Sequence, residues 1–167
     1  KAAAKTAVDS KKPLIPVHAD FKLENGLRVV FSEDHSVPVV AVAILYDVGA
    51  RNEKKGRSGF AHLFEHMMFE GSENVGKTEH FKYVESAGGS LNGSTHPDFT
   101  NYFEKLPSNQ AELALWLESD RMRSLKLTPE NFQNQLETVK EEKRLNYDNQ
   151  PYVPASIKFD EMLFDNW

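Results

Sequence analysis

His62-Leu63-Phe64-Glu65-His66 sets two imidazoles four residues apart with a carboxylate between them. On a helix, at about 100° per residue, positions four apart lie within about 40° of each other, so both rings can reach one ion. Phe60, Leu63, Phe64 and Met67 keep the i, i+3, i+4, i+7 spacing of an apolar stripe on the opposite side, expected to face the core. Glu65 lies off that stripe, toward the histidines. Six His and sixteen Glu in 167 residues produce about 0.02 such patterns by chance, which favours a metal site over a solvated helix face. Two histidines do not complete a catalytic zinc centre, which needs a third protein donor and an open position for water. With no cysteine in the chain, that donor is a His or a carboxylate.

The last long helical segment offers Glu137, Glu141 and Glu142. Its apolar stripe is Phe132, Leu136 and Val139; Glu142 falls beside it, next to Gln135, while Glu141 points nearly opposite. A ligand must face protein, which favours Glu142. The competing reading, a solvated Lys140-Glu141-Glu142-Lys143-Arg144 run with i, i+4 pairing, stays open at this level. Ser90-Leu91-Asn92-Gly93-Ser94-Thr95, after Gly88-Gly89, reads as a strand of small residues whose edge could accept an extended peptide. A bulge or tight packing at Gly93 explains it equally well.

The elements that must position these residues are legible in outline. Phe21–Leu23 and Arg28–Ser32 flank the turn signal Glu24-Asn25-Gly26. Val37–Val48, rich in β-branched residues, reads as a buried strand, followed by a charged loop over Gly49–Arg57. Ser58 is the expected N-cap of the helix carrying the histidines, ending near Gly71. Glu79–Ala87 is a short helix; Ser90–His96 and Phe99–Lys105 are strands around Pro97-Asp98. Ser108–Arg123 is an amphipathic helix carrying Leu113, Trp116 and Leu117. Thr128-Pro129-Glu130 opens a helix running past Arg144. His18, His35, His80 and His96 are expected in surface or turn positions. Strands first, then helices, with hairpin connections, predict an α+β fold: an antiparallel sheet with helices packed on one side.

Twenty Lys and Arg against twenty-five Asp and Glu give a net charge of −5 with no basic stripe, which argues against nucleic acid as a partner. No apolar run approaches the ~20 residues of a transmembrane helix, and 40% hydrophobic residues suffice for a core. Residues 1–15 read as a flexible leader without apolar periodicity, and 16–167 as one domain. Ile157, Phe159, Met162 and Leu163 keep a helical spacing that stops at Trp167 without a cap, as in a domain truncated at its C-terminal end. The spacer-like start without Met favours a bacterial periplasm, with cytoplasm and mitochondrial matrix left open.

Gly59–Gly71, GFAHLFEHMMFEG, is similar along its whole length to the inverted H-x-x-E-H signature of the pitrilysin (M16) family of zinc metallopeptidases. Leu136–Arg144, with Glu142 lying 76 positions beyond His66, resembles that family's second metal motif. The resemblance extends over most of the chain and leans toward the processing-peptidase-like bacterial members. It implies a LuxS/MPP-like metallohydrolase amino-terminal domain holding one Zn2+ through His62, His66 and Glu142. Glu65 is then the general base, and Gln135 sits behind the metal ligands where some members carry an acid. It places substrate on the Asn92-Gly93-Ser94 edge, with Gly93 where the family usually has Ala. The implied reaction is hydrolysis of a peptide or unfolded polypeptide, completed by a C-terminal half or a second M16-type subunit. The alternatives of another class are a non-catalytic partner subunit and a zinc-stabilised binding module of the same fold.

Overall fold

A computed structural model describes residues 15–164. The expectations for the leader over residues 1–14 and for the chain end at Trp167 lie outside the described residues. Cα packing separates two units, residues 1–38 and 39–167. In the first, strands β1 (Ala19–Lys22) and β2 (Arg28–Phe31) form the expected antiparallel hairpin. Its turn is closed by Gly26 N–H donating to the Leu23 carbonyl, with Gly26 at φ 89°, a conformation glycine adopts without a Cβ penalty.

The second unit holds β3 (Val39–Tyr46), α1 (Phe60–Met67), α2 (Glu79–Ser86), β4 (Ser90–Thr95), β5 (Thr100–Pro107), α3 (Ala111–Ser124), α4 (Pro129–Lys143) and α5 (Val153–Leu163). Its sheet has the order β3-β5-β4, both pairings antiparallel. Period-2 alternation turns Val40 and Val42 of β3, Leu91 of β4 and Leu106 of β5 to one face. There they pack with Val75, Val84, Ala114 and Leu117. The predicted α+β class, antiparallel with helices on one side, is what forms.

Several expectations change. β3 is shorter than Val37–Val48 and is an edge strand, with Val39 and Leu45 on its exposed face rather than buried. α1 begins at Phe60 rather than at a Ser58 cap. The Glu53 carboxylate instead accepts from Gly59 N–H (2.8 Å) and Ala61 N–H (2.7 Å), placing negative charge at the helix N-terminus. Of the α1 stripe expected to face the core, Leu63 and Met67 are buried while Phe60 and Phe64 stay exposed, no described element covering them. In α3, Trp116 is exposed and the buried face is Ala114, Leu117, Glu118 and Arg121. α4 opens as expected, with Thr128 Oγ1 accepting from Asn131 N–H at 3.1 Å, but ends at Lys143 and continues as a π-helical turn over Arg144–Asp148.

The largest correction is His80, which is 4% exposed. Its Nε2 meets the buried Glu104 carboxylate, and Phe69 stacks edge-on against the ring. Beside it, Arg121 is ion-paired with Glu118, lies 4.5 Å from the Tyr102 ring centre and donates to the Met68 carbonyl at 3.4 Å. That guanidinium therefore ties the end of α1 to α3 across β5.

Asp120 makes a second tie. Its carboxylate accepts from Ser72 Oγ at 2.6 Å and from the Asn74 side chain (2.7 Å) and backbone N–H (3.2 Å), holding the loop after α1 against α3. The Ser72 hydroxyl, ahead of an opposing burial effect and with help from Asn74 and Arg123, draws its pKa from 3.8 down to about 2. A carboxyl lowered on folding stabilises the protein above the unfolded value, and this is lost as pH falls through the folded one. Asp120→Asn is therefore expected to lower stability by about 1–2 kcal/mol at pH 7 and by much less at pH 2. Denaturant unfolding of both proteins at the two pH values measures it; an equal loss at both would show that the ionised carboxylate is not what holds the loop.

Candidate active site

The i, i+4 spacing brings His62 and His66 together on α1, their Nε2 atoms 3.2 Å apart. α4 brings Glu142 across them: its Oε2 lies 3.5 Å from His62 Nε2 and 3.4 Å from His66 Nε2. Glu141 points elsewhere, into an exposed ion pair with Arg144 at 2.6 Å. A tetrahedral ion with bonds of 2.0–2.1 Å separates its donors by about 3.3 Å. All three edges of this triangle match that spacing, and its chemistry, two imidazoles and a carboxylate, suits zinc. The His62 and Glu142 side chains are 41% and 39% exposed, which leaves a direction open for water or substrate.

The crossing of α1 and α4 is held from behind. Gln135 Nε2 donates to Glu70 Oε1 at 2.6 Å, and Lys77 Nζ pairs with Glu70 Oε2 at 2.7 Å. Gln135 thus grips the segment just after α1 rather than a metal donor. Glu65 lines a cavity of about 310 Å³ together with His66, Phe69, Phe81 and Asn92. Its Oε2 accepts from Thr95 Oγ1 at 2.5 Å.

β4 has β5 on one side and no strand on the other among the described residues, so one edge is free. Asn92 Oδ1 accepts from the neighbouring Gly93 N–H at 2.9 Å, and Ser94 Oγ donates to Asn101 Oδ1 at 2.7 Å. A Cβ on Gly93 would stand 3.1 Å from the Tyr102 ring and 3.3 Å from Glu65 Cγ, so the glycine gives close packing here. A second convergence, His80, Glu104 and Glu118, lies wholly buried with donor atoms within 4.8 Å of one another. There His80 Nε2 is already taken by Glu104, and Arg121 supplies the positive charge to Glu118. A dication would have to sit against that guanidinium, so this group is part of the core.

A family profile described as Insulinase (Peptidase family M16) matches residues 28–160. The chain belongs to this family. It is 38% identical over 146 residues to a Helicobacter pylori protein named zinc protease PqqE, covering 87% of this chain and 33% of that one. Among solved structures, a Helicobacter pylori protease superposes with a TM-score of 0.80 at 38% identity, covering 83% of this chain and 34% of that one. Pitrilysin superposes at 0.72 with 23% identity, over 86% of this chain and 15% of its own, a likeness of fold. The chain thus spans about a third of the length of its Helicobacter relatives. The M16 resemblance and the fold expected from it hold.

Sequence reasoning missed Thr95, Glu70 and the pairs around His80. Thr95 had a signal, since it shares a strand face with Gly93. Glu70 had a weaker one: four residues beyond His66, it would share that side of a helix running to Gly71, although α1 ends at Met67. Because Gln135 fixes the helix that carries Glu142, Gln135→Ala is expected to weaken zinc retention about tenfold without removing a donor. Gln133→Ala, at an exposed position bonded to Glu137, should leave it unchanged. Competition with a chromogenic chelator measures both; equal retention in the two variants would show that the Glu70 link does not position Glu142.

Proposed function

We propose that this chain carries the metal centre of an M16 zinc endopeptidase, with His62, His66 and Glu142 holding one Zn2+ and Glu65 acting as general base. The observation that carries the reading is the triangle of donors at tetrahedral spacing with the Glu65 carboxylate on the adjoining cavity wall. When bound, zinc supplies Lewis acidity, bringing the pKa of a water in its open position toward about 7 and polarising a peptide carbonyl.

The chain's own residues do the rest. Glu65 sits one residue before one ligand and three after the other, and is used by neither. It takes a proton from the attacking water and delivers it to the departing amine. The substrate is an extended peptide or unfolded polypeptide, added as a strand along the free edge of β4 around Asn92. Phe69 and Phe81 give the adjoining cavity apolar walls suited to one of its side chains. Full activity uses further polypeptide, a C-terminal half or a second M16-type subunit, in keeping with the threefold length of the relatives. A donor to the developing oxyanion from that region is worth about 10²–10³ in rate, so the chain tested alone cleaves slowly.

Division of labour is the test. His62→Ala, His66→Ala and Glu142→Gln are expected to lose zinc on dialysis. Glu65→Gln should keep zinc and lose at least about 10²-fold in turnover, while Glu141→Gln changes neither. Metal content by mass spectrometry and cleavage of a fluorogenic peptide at matched zinc occupancy read out both properties. A folded, metal-free Glu65→Gln, or an active one, would overturn the assignment. Zinc binding without cleavage, even with the additional polypeptide supplied, would favour a zinc-stabilised binding module.

A further inference from the structure

We propose that Thr95 is the positioning residue for Glu65, so that the strand offered to the peptide also sets the base. The proposal rests on the reading of Glu65 given above and deepens it.

Glu65 projects from α1 on a flexible stem and is half-buried. Left alone, such a side chain samples several rotamers, and confining it costs on the order of 1–2 kcal/mol. One hydrogen bond holds its carboxylate, from Thr95 Oγ1 to Oε2 at 2.5 Å; Oε1 accepts none among the described residues. The division suits a base: one oxygen is anchored and the other is free to take a proton. A hydroxyl donating to an ionised carboxylate makes a charge-assisted bond, stronger than one between neutral groups.

The anchor is itself stiff. Thr95 is β-branched, with a restricted χ1, and it stands opposite Thr100 in the β4–β5 register. Thr100 is fixed in turn by donating its hydroxyl to the Val48 carbonyl at 2.9 Å. Two residues earlier, Gly93 faces the same side of the strand and, having no Cβ, lets Glu65 Cγ pack closely; a Cβ there would lie 3.3 Å from it. β4 therefore offers Glu65 a notch and a donor. A peptide paired to the free edge of β4 would take its register from the same rigid element that aims the base. Proton transfer needs the base within hydrogen-bond reach of the water, and misplacement by about 1 Å can cost about 10²-fold.

Thr95→Val keeps the shape and β-branching while deleting the hydroxyl; Thr95→Ser keeps the hydroxyl. With peptide cleavage measured at matched zinc occupancy, Thr95→Val is expected to lower kcat about 10- to 100-fold with KM within about twofold. Zinc content should not change, and Thr95→Ser should recover most of the rate. In the Glu65→Gln background Thr95→Val should cost little more, because the group it positions has gone. A readout without turnover is NMR of the Glu65 side chain: its three-bond couplings should report one rotamer in the parent and in Thr95→Ser, and averaging in Thr95→Val. Wild-type kcat with one Glu65 rotamer in Thr95→Val would overturn the proposal. So would equal loss in both variants, or a change confined to KM. An active Glu65→Gln would instead overturn the base assignment, and the NMR comparison would still decide whether Thr95 holds that side chain.

Discussion

Glu70 carries a carboxylate to a place where only 4% of the residue meets solvent, and the two groups that meet it there come from different elements. Lys77 reaches it from the loop before α2, and Gln135 from the middle of α4. A charge so buried is costly unless paired and hydrogen-bonded, so α4 is strongly biased toward the one crossing in which Gln135 reaches it. Seven residues and about two turns further along α4 is Glu142. The same crossing that satisfies Glu70 therefore delivers the Glu142 carboxylate to His62 and His66. At that point, thermodynamic satisfaction of the core and geometry of the site are one requirement.

Beneath the site the core is polar for a similar reason. α1 is only eight residues long, too short to be stable by itself, and its C-terminal carbonyls need partners. Arg121 supplies one, at the Met68 carbonyl, while stacking on Tyr102 and remaining paired with Glu118. Burial pushes the Glu118 carboxyl above the ordinary 4.5, with Arg121 opposing that shift. His80 and Glu104 complete the group. His80 and Glu104 join α2 to β5, and Arg121 joins α3 to β5 at Tyr102 and to the end of α1 at Met68, so the network fixes α1, α2, α3 and β5 against one another. The imidazoles above it stand on a helix whose far end is clamped.

What could be read beforehand divides along this line. The pairing of His62 and His66 on one face of α1, the hairpin at Asn25-Gly26, the start of α4 at Thr128 and the choice of Glu142 over Glu141 on geometry all follow from local periodicity or turn chemistry. His80 was not legible, because its partner Glu104 lies 24 residues away on another element and no period connects them. The Ser58 cap failed for the same reason: a carboxylate from the preceding loop, Glu53, took the backbone donors instead. Trp116 and β3 went astray through burial. An apolar residue at a helical position, or a β-branched run, shows the face it could bury but not whether another element reaches that face.

His66 and Glu142 are separated by 76 residues, yet their donor atoms stand 3.4 Å apart. Closing a flexible loop of that length would oppose metal binding, although the opposition grows only by about 0.6 kcal/mol per doubling of length. Here the intervening chain is not flexible. It forms α2, β4, β5 and α3, whose apolar contacts through Val84, Leu91, Leu106 and Leu117 include none of the three donors. Folding of the core thus closes the loop and brings the donor atoms of His62, His66 and Glu142 together. Such a centre differs from a small zinc finger, where the ion must organise the chain. The metal-dependent reaction proposed above would use such a site, because the coordination energy of an ion held there would not be consumed in ordering the chain.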